Sequence, residues 1–167
     1  MNRKFKTIED IKQQGFVGFI KIQELFHDQS IIPERPGIYM VLYTESVTPT
    51  FINPGTGGFF KGKNPNVSSE ALLANWVKDT VTVYIGKAGG SGSNATLRKR
   101  LRQYLRFGQG ADIGHYGGRL IWQIKNSGNL LLCWKTQMSE EPRDMEYDLI
   151  QEFSFLYSRR PFANLVT

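Results

Sequence analysis

The residues best equipped for chemistry lie far apart in the chain. Tyr39 sits within the apolar run "PGIYMVLYTE", and Tyr84 precedes Gly86 in "TVYIGKA". Either tyrosine alone is ordinary strand packing, but as antiparallel neighbours the two runs would bring both phenols to a common edge. Downstream, "TLRKRLRQYL" has helical periodicity. Leu97, Leu101, Tyr104 and Leu105 form one apolar stripe at about 100° per residue, and Arg100 borders it beside Tyr104. Arg98, Arg102 and Arg106 point elsewhere, so Arg100 is the arginine expected against the sheet, where a guanidinium needs an anionic partner. A last helix supplies a carboxylate. Leu149, Ile150, Phe153, Leu156 and Tyr157 define its apolar face, and Glu146 falls at the centre of that face. A charge there is costly unless paired or bound to a metal, so two explanations stand side by side: a metal ligand, or a buried ion pair with Arg100.

The stretch "VYIGKAGGSGSNATLRKRLRQYL", residues 83–105, joins two of these groups through a Gly/Ser loop. A Walker A loop needs Gly-x-x-x-x-Gly-Lys-Ser/Thr, which the loop does not supply. Gly90, Gly92 and Ala95 do satisfy G-x-G-x-x-A between strand and helix. The acidic residue expected about twenty positions further on is missing, however, so a dinucleotide-binding protein is a rival on motif alone.

These groups require a small set of elements to position them. Thr7 caps a short helix over residues 7–14, with Asp10 completing a capping box. Strands are predicted over residues 37–44 and 81–86. Between them, residues 45–82 form an excursion dense in Gly, Pro and Asn, with room for a small hairpin and for a helix capped by Ser68 or Ser69 that runs to about residue 78. Asn94 is the expected N-cap of the basic helix and Gly108 its stop. "RLIWQIKNSGNLLLCWKTQ" reads as a hairpin over residues 119–137 joined at "NSGN". Ser139 and Pro142 open a last helix to about residue 158, and the tail "RRPFANLVT" is extended. The fold class is α+β: a mostly antiparallel sheet of three to four strands flanked by helices, too few strands for a doubly wound nucleotide fold.

With 167 residues, 40% of them hydrophobic, the chain suits one domain with a single core, preceded by an N-terminal extension over residues 1–35. The net charge of +6 is unevenly placed. No acid lies between Asp79 and Asp112, whereas Lys87, Arg98, Lys99, Arg100, Arg102 and Arg106 all do, a local positive field suited to a phosphate-rich partner. The lone Cys133 permits no internal disulfide, and one Cys with two His argues against a zinc site. The charged start "MNRKFKTIEDIKQQG" lacks the apolar core of a signal peptide, and no apolar run approaches a membrane span. The expectation is a cytoplasmic protein with no membrane partner.

Together, "GIY" at residues 37–39, "YIG" at residues 84–86, the arginine of "TLRKRLRQY", the glutamate of "MEYDLIQEF" and the asparagine of "PFAN" resemble the GIY-YIG nuclease superfamily. The motifs follow in order across residues 36–164. The family includes homing endonucleases, excision-repair and resolving nucleases and some restriction enzymes, which cut DNA with one divalent metal. The resemblance implies that Tyr39 and Tyr84 are the signature tyrosines, Arg100 the catalytic arginine, Glu146 the ligand of Mg²⁺ or Mn²⁺, and Asn164 the motif asparagine. Lys87 and Tyr104 fall where excision-repair members have functional residues. The insertion over residues 45–82 looks more like the restriction-enzyme branch, while the stretch from Glu146 to Asn164 is longer than in the excision-repair form.

In that mechanism Arg100 neutralises the phosphate's non-bridging oxygens, and Tyr39 positions water and phosphate. Tyr84 is the general base, its pKa brought down from about 10 by Lys87 and the metal, although the tyrosine roles are exchangeable. DNA is the expected partner, contacted by Lys61, Lys63, Arg98, Arg102, Arg106, His115 and Arg119, and a homodimer is left open. A catalytically silent DNA-binding module is the rival from another class.

Overall fold

The structure is a computed structural model that describes residues 3–165. Strands β1 (Val17–Lys21), β2 (Gly37–Leu42), β3 (Thr82–Ala88) and β4 (Leu131–Lys135) form one antiparallel sheet in the order β1-β4-β2-β3. Helices α1 (Ile8–Lys12), α2 (Ile22–Leu25), α3 (Ser69–Asn75), α4 (Leu97–Gly108) and α5 (Pro142–Tyr157) surround it. Every residue of β2 is buried because both sheet faces are covered. Ile38, Met40 and Leu42 face the core made with Leu149, Ile150 and Phe153 of α5, whereas Tyr39 and Val41 face Leu97, Leu101, Tyr104 and Leu105 of α4. A wholly antiparallel sheet has no parallel crossover to hold a dinucleotide, and that rival loses its fold. Among the described residues, no helix is long and apolar enough to cross a membrane.

Several elements differ from expectation, each for a local reason. The hairpin over residues 119–137 has only its second strand, β4. Leu120, Ile121 and Trp122 are all buried in succession, which a period-two strand cannot do, and Arg119–Gln123 is instead a 3-10 turn. The partner of β4 on that side is β1, from the segment taken as an extension; Gly18 and the bulge at Phe19 (φ 57°) break its alternation. The N-cap of α4 is Thr96 rather than Asn94: its hydroxyl accepts from the Lys99 amide at 3.2 Å. Helix α3 is capped by Ser68, as expected, but ends at Asn75.

The excursion over residues 45–82 forms no hairpin among the described residues; only Phe51 bridges to Ile124. Gln123 holds it down. The Gln123 Nε2 donates to the carbonyls of Ile52 (3.1 Å) and Val67 (2.9 Å), and its Oε1 accepts from the Val67 amide (2.9 Å).

Candidate active site

The β2–β3 register decides how the two signature tyrosines meet. Tyr39 lies directly opposite Gly86, and Tyr84 opposite Val41, so the tyrosines are diagonal neighbours on one face with ring centroids 6.0 Å apart. Gly86 is there because the Tyr39 ring lies across it: an added Cβ would come within 2.3 Å of the ring. At Gly37 a Cβ would strike the Lys135 carbonyl at 2.5 Å and Leu97 at 2.8 Å, so the first glycine lets α4 close on β2. Tyr104 of α4 completes a cluster, 6.3 Å from Tyr39 and 5.9 Å from Tyr84, with its hydroxyl donating to the Gly118 carbonyl at 2.8 Å.

β3 is an edge strand, and at its end side chains from both sheet faces reach a common cleft of about 880 Å³. Tyr39, Tyr84, Lys87, Arg100 and Glu146 all line it, brought together from β2, β3, α4 and α5. Of the two explanations for Glu146, the buried ion pair is not formed: no pair within 4.0 Å joins Glu146 to Arg100, and Glu146 is half-buried at the cleft rather than central to the packed face of α5. Its carboxylate has no hydrogen-bond or ion-pair partner among the described residues. Burial holds its pKa above the ordinary value, partly countered by Lys87 and Arg100.

The phenols move the other way from expectation. Burial, followed by the Glu146 charge, pushes Tyr84 up to about 12, with the Tyr39 hydroxyl and Arg100 offsetting part of the rise. Burial also raises Tyr39 and Tyr104. All three are neutral at pH 7, so the downward shift expected of Tyr84 is not a property of the protein alone.

The donor set suits a hydrated hard cation. Glu146 offers an unpartnered carboxylate facing open volume and Asp144 lines the same cleft, while no cluster of three or more His, Cys, Asp or Glu occurs among the described residues. A cation there would keep several waters, as Mg²⁺ does.

Other expected site residues are placed elsewhere. Asn164 lies behind the cleft, its side chain acting as a short strand: Oδ1 accepts from the Ile85 amide and Nδ2 donates to the Ile85 carbonyl, both at 2.9 Å, which fixes β3 between Tyr84 and Gly86. Arg98 donates to the carbonyls of Ser30 and Ile32 (2.8 Å each) and pairs with Glu34 (2.8 Å), so its guanidinium is occupied within the fold. His115 is fully buried with its ring 4.5 Å from that of Tyr104, out of reach of a surface ligand. Burial, and then the Arg100 charge, push it down to about 3. Lys61, Lys63, Arg102 and Arg106 are exposed, and Arg119 is half-buried over the Tyr116 ring, 4.0 Å away.

Besides Asp144, further contributors were not anticipated. Arg143 lines the cleft one helical turn before Glu146, a spacing that could have revealed it. Glu141 ties the glycine loop to the start of α5 by accepting from the Ser91 amide (2.9 Å) and hydroxyl (2.8 Å). In comparisons with family models, curated proteins and solved structures, the chain matches none.

Proposed function

We propose that the protein is a divalent-metal-dependent DNA endonuclease that hydrolyses phosphodiester bonds with a GIY-YIG-type site. The observation carrying this reading is the cleft itself. Two phenols, the cations Lys87, Arg100 and Arg143 and the carboxylates Asp144 and Glu146, from four elements spread over more than a hundred residues, face the same open volume with no ion pair formed by any of them among the described residues. Buried polar groups normally pair with each other, and a cleft where they do not is a site prepared for a charged ligand.

In this reading Glu146 would hold Mg²⁺ or Mn²⁺. The bound cation would supply Lewis-acid polarisation of the phosphate and a more acidic water. Arg100 presents its planar fork to the non-bridging oxygens, and Lys87 adds a second positive charge on the Glu146 side. Tyr39, neutral and buried, orients the phosphate or the attacking water by hydrogen bonding. Tyr84 Oη is the group placed to take the water's proton, which it could do only as phenolate after giving its own proton to solvent, because in the free protein it holds that proton to about pH 12.

The test is direct. Supercoiled plasmid incubated with the protein and Mg²⁺ should be nicked or linearised, with no cutting in EDTA or by Glu146→Gln; sequencing the ends gives the site preference. Tight binding without any cutting under these conditions would leave a DNA-binding module in place of a nuclease.

A further inference from the structure

The insertion carries the turn "GFFKGKN", residues 58–64, and the structure treats its adjacent phenylalanines differently. The Phe60 ring lies against Gly114, where an added Cβ would come within 3.0 Å of it, whereas Phe59 is 51% exposed. A single exposed phenylalanine is ordinary on a protein surface. This one stands on a turn fixed from several sides. The Gly58 amide donates to the Phe107 carbonyl at 2.9 Å, and the Lys61 amide donates to Asp112 Oδ1 at 3.2 Å. The Tyr116 hydroxyl donates to the Asn64 carbonyl at 2.8 Å. At the tip, Lys61 (φ 52°) and Gly62 (φ 74°) turn the chain, and nothing lies within 4 Å of a Cβ added at Gly62. The aromatic ring is therefore presented to solvent by a preorganised backbone, which lowers the ordering cost of any contact it makes.

Its surroundings are cationic. Lys61 lies 5.3 Å from the Phe60 ring centroid, while Lys63 (6.0 Å) and Arg119 (4.0 Å) both lie over the ring of Tyr116. None of these cations has an ion-pair partner among the described residues. Arg119 follows Gly118, which packs so closely on the cleft-lining Tyr84 that an added Cβ would sit 2.8 Å from its ring. An apolar ring flanked by phosphate-binding charges is how proteins wedge between base steps, with the cations on the backbone and the ring against unstacked bases.

We infer that Phe59 is a wedge that stacks against bases of duplex DNA beside the cleaved phosphodiester, with Lys61 and Lys63 on the flanking phosphates. This rests on DNA being the substrate, and the experiment separates the two ideas. The full-length protein in EDTA is bound to closed circular plasmid, which is then relaxed by a metal-independent topoisomerase and deproteinised. The wild type should leave the plasmid underwound, and Phe59→Ala should abolish that change at equal occupancy. On a duplex oligonucleotide, Phe59→Ala should weaken binding about tenfold at every salt concentration without altering the salt slope. Lys63→Ala should lower the slope by about one. The wedge is overturned if the wild type binds without changing the linking number, if Phe59→Ala unwinds as well as wild type, or if no DNA is bound. Underwinding without cutting in Mg²⁺ removes the nuclease proposal and keeps the wedge; cutting without underwinding does the reverse.

Discussion

Gln123 and Glu146 are both polar groups placed where elements distant in sequence converge, and they differ in what answers them. Gln123 is 1% exposed and has both ends of its amide bonded to the insertion, so the fold alone satisfies it. Glu146 has cations near enough to influence its titration, yet no bond to either. The first arrangement ties a loop down and excludes water. The second keeps charges apart across open volume, which costs stability and leaves bonding capacity for something that is not protein. The contrast separates a structural polar cluster from a functional one without reference to any relative.

The sharpest way to break the comparison is Glu146→Gln. Cleavage should fall by about a thousandfold or more, the loss expected when metal stabilisation of transition-state charge is removed. DNA binding should survive or tighten as repulsion of phosphate is relieved. Because burial raises this carboxyl's pKa, its ionised form costs stability above the ordinary carboxylate range, so the variant should melt no lower than wild type. A lower melting temperature with cutting intact would make Glu146 structural after all.

Gln123→Ala probes the other member and should do the opposite. Two carbonyls and an amide lose their partner, and stability should drop by roughly 2–4 kcal/mol in denaturant titration, while cleavage per folded molecule persists in the cold. The same split should appear between near neighbours on α4. Arg100→Ala should reduce cleavage at saturating DNA about a hundredfold with little change in melting. Arg98→Ala, which releases the Ser30 and Ile32 carbonyls, should cost roughly 1–2 kcal/mol of stability and leave the cleavage rate nearly unchanged. If the two variants behaved alike, the distinction between answered and unanswered cations would fail.

His115 gives the gentlest test, as a buried group with one nitrogen bonded and one not. Its Nδ1 lies 3.1 Å from the Gly117 carbonyl, while Nε2 is buried without a partner among the described residues. The folded protein refuses a proton until about pH 3, whereas the unfolded chain takes one up near 6.5. Stability should therefore be unaffected at neutral pH and fall as pH drops between those values, by about 1.4 kcal/mol per pH unit from this residue. His115→Phe should flatten that part of the pH–stability curve.

Much of this was legible in the chain because it depends on neighbours within a few residues. The Thr7–Asp10 capping box, the apolar stripe of α4, the cap of α3 at Ser68 and the start of α5 at Pro142 all follow from local periodicity and end chemistry. The face of its own element that each of Arg100 and Glu146 occupies, and the common edge of Tyr39 and Tyr84, followed from the same patterns, whereas the meeting of all four in one cleft is seen only in the fold. The sense in which each acts electrostatically did not: Tyr84 moves up rather than down because the phenol is enclosed by β2, α4 and the Gly117–Gly118 bend.

What the sequence by itself determined is therefore the helices α1, α3, α4 and α5 and the strands β2, β3 and β4, the antiparallel class of the sheet, and the few side chains whose type is out of keeping with their face. Only the tertiary structure decided that β1 pairs with β4, that Asn164 straps β3 and Gln123 staples the insertion. It also decided that Arg98 is occupied while Arg100 is not, and that His115 is buried. The physical reason is separation. A helix stripe is set by residues three or four apart, but whether a charge is answered depends on which distant segment arrives beside it, and that is fixed by packing both faces of the sheet at once.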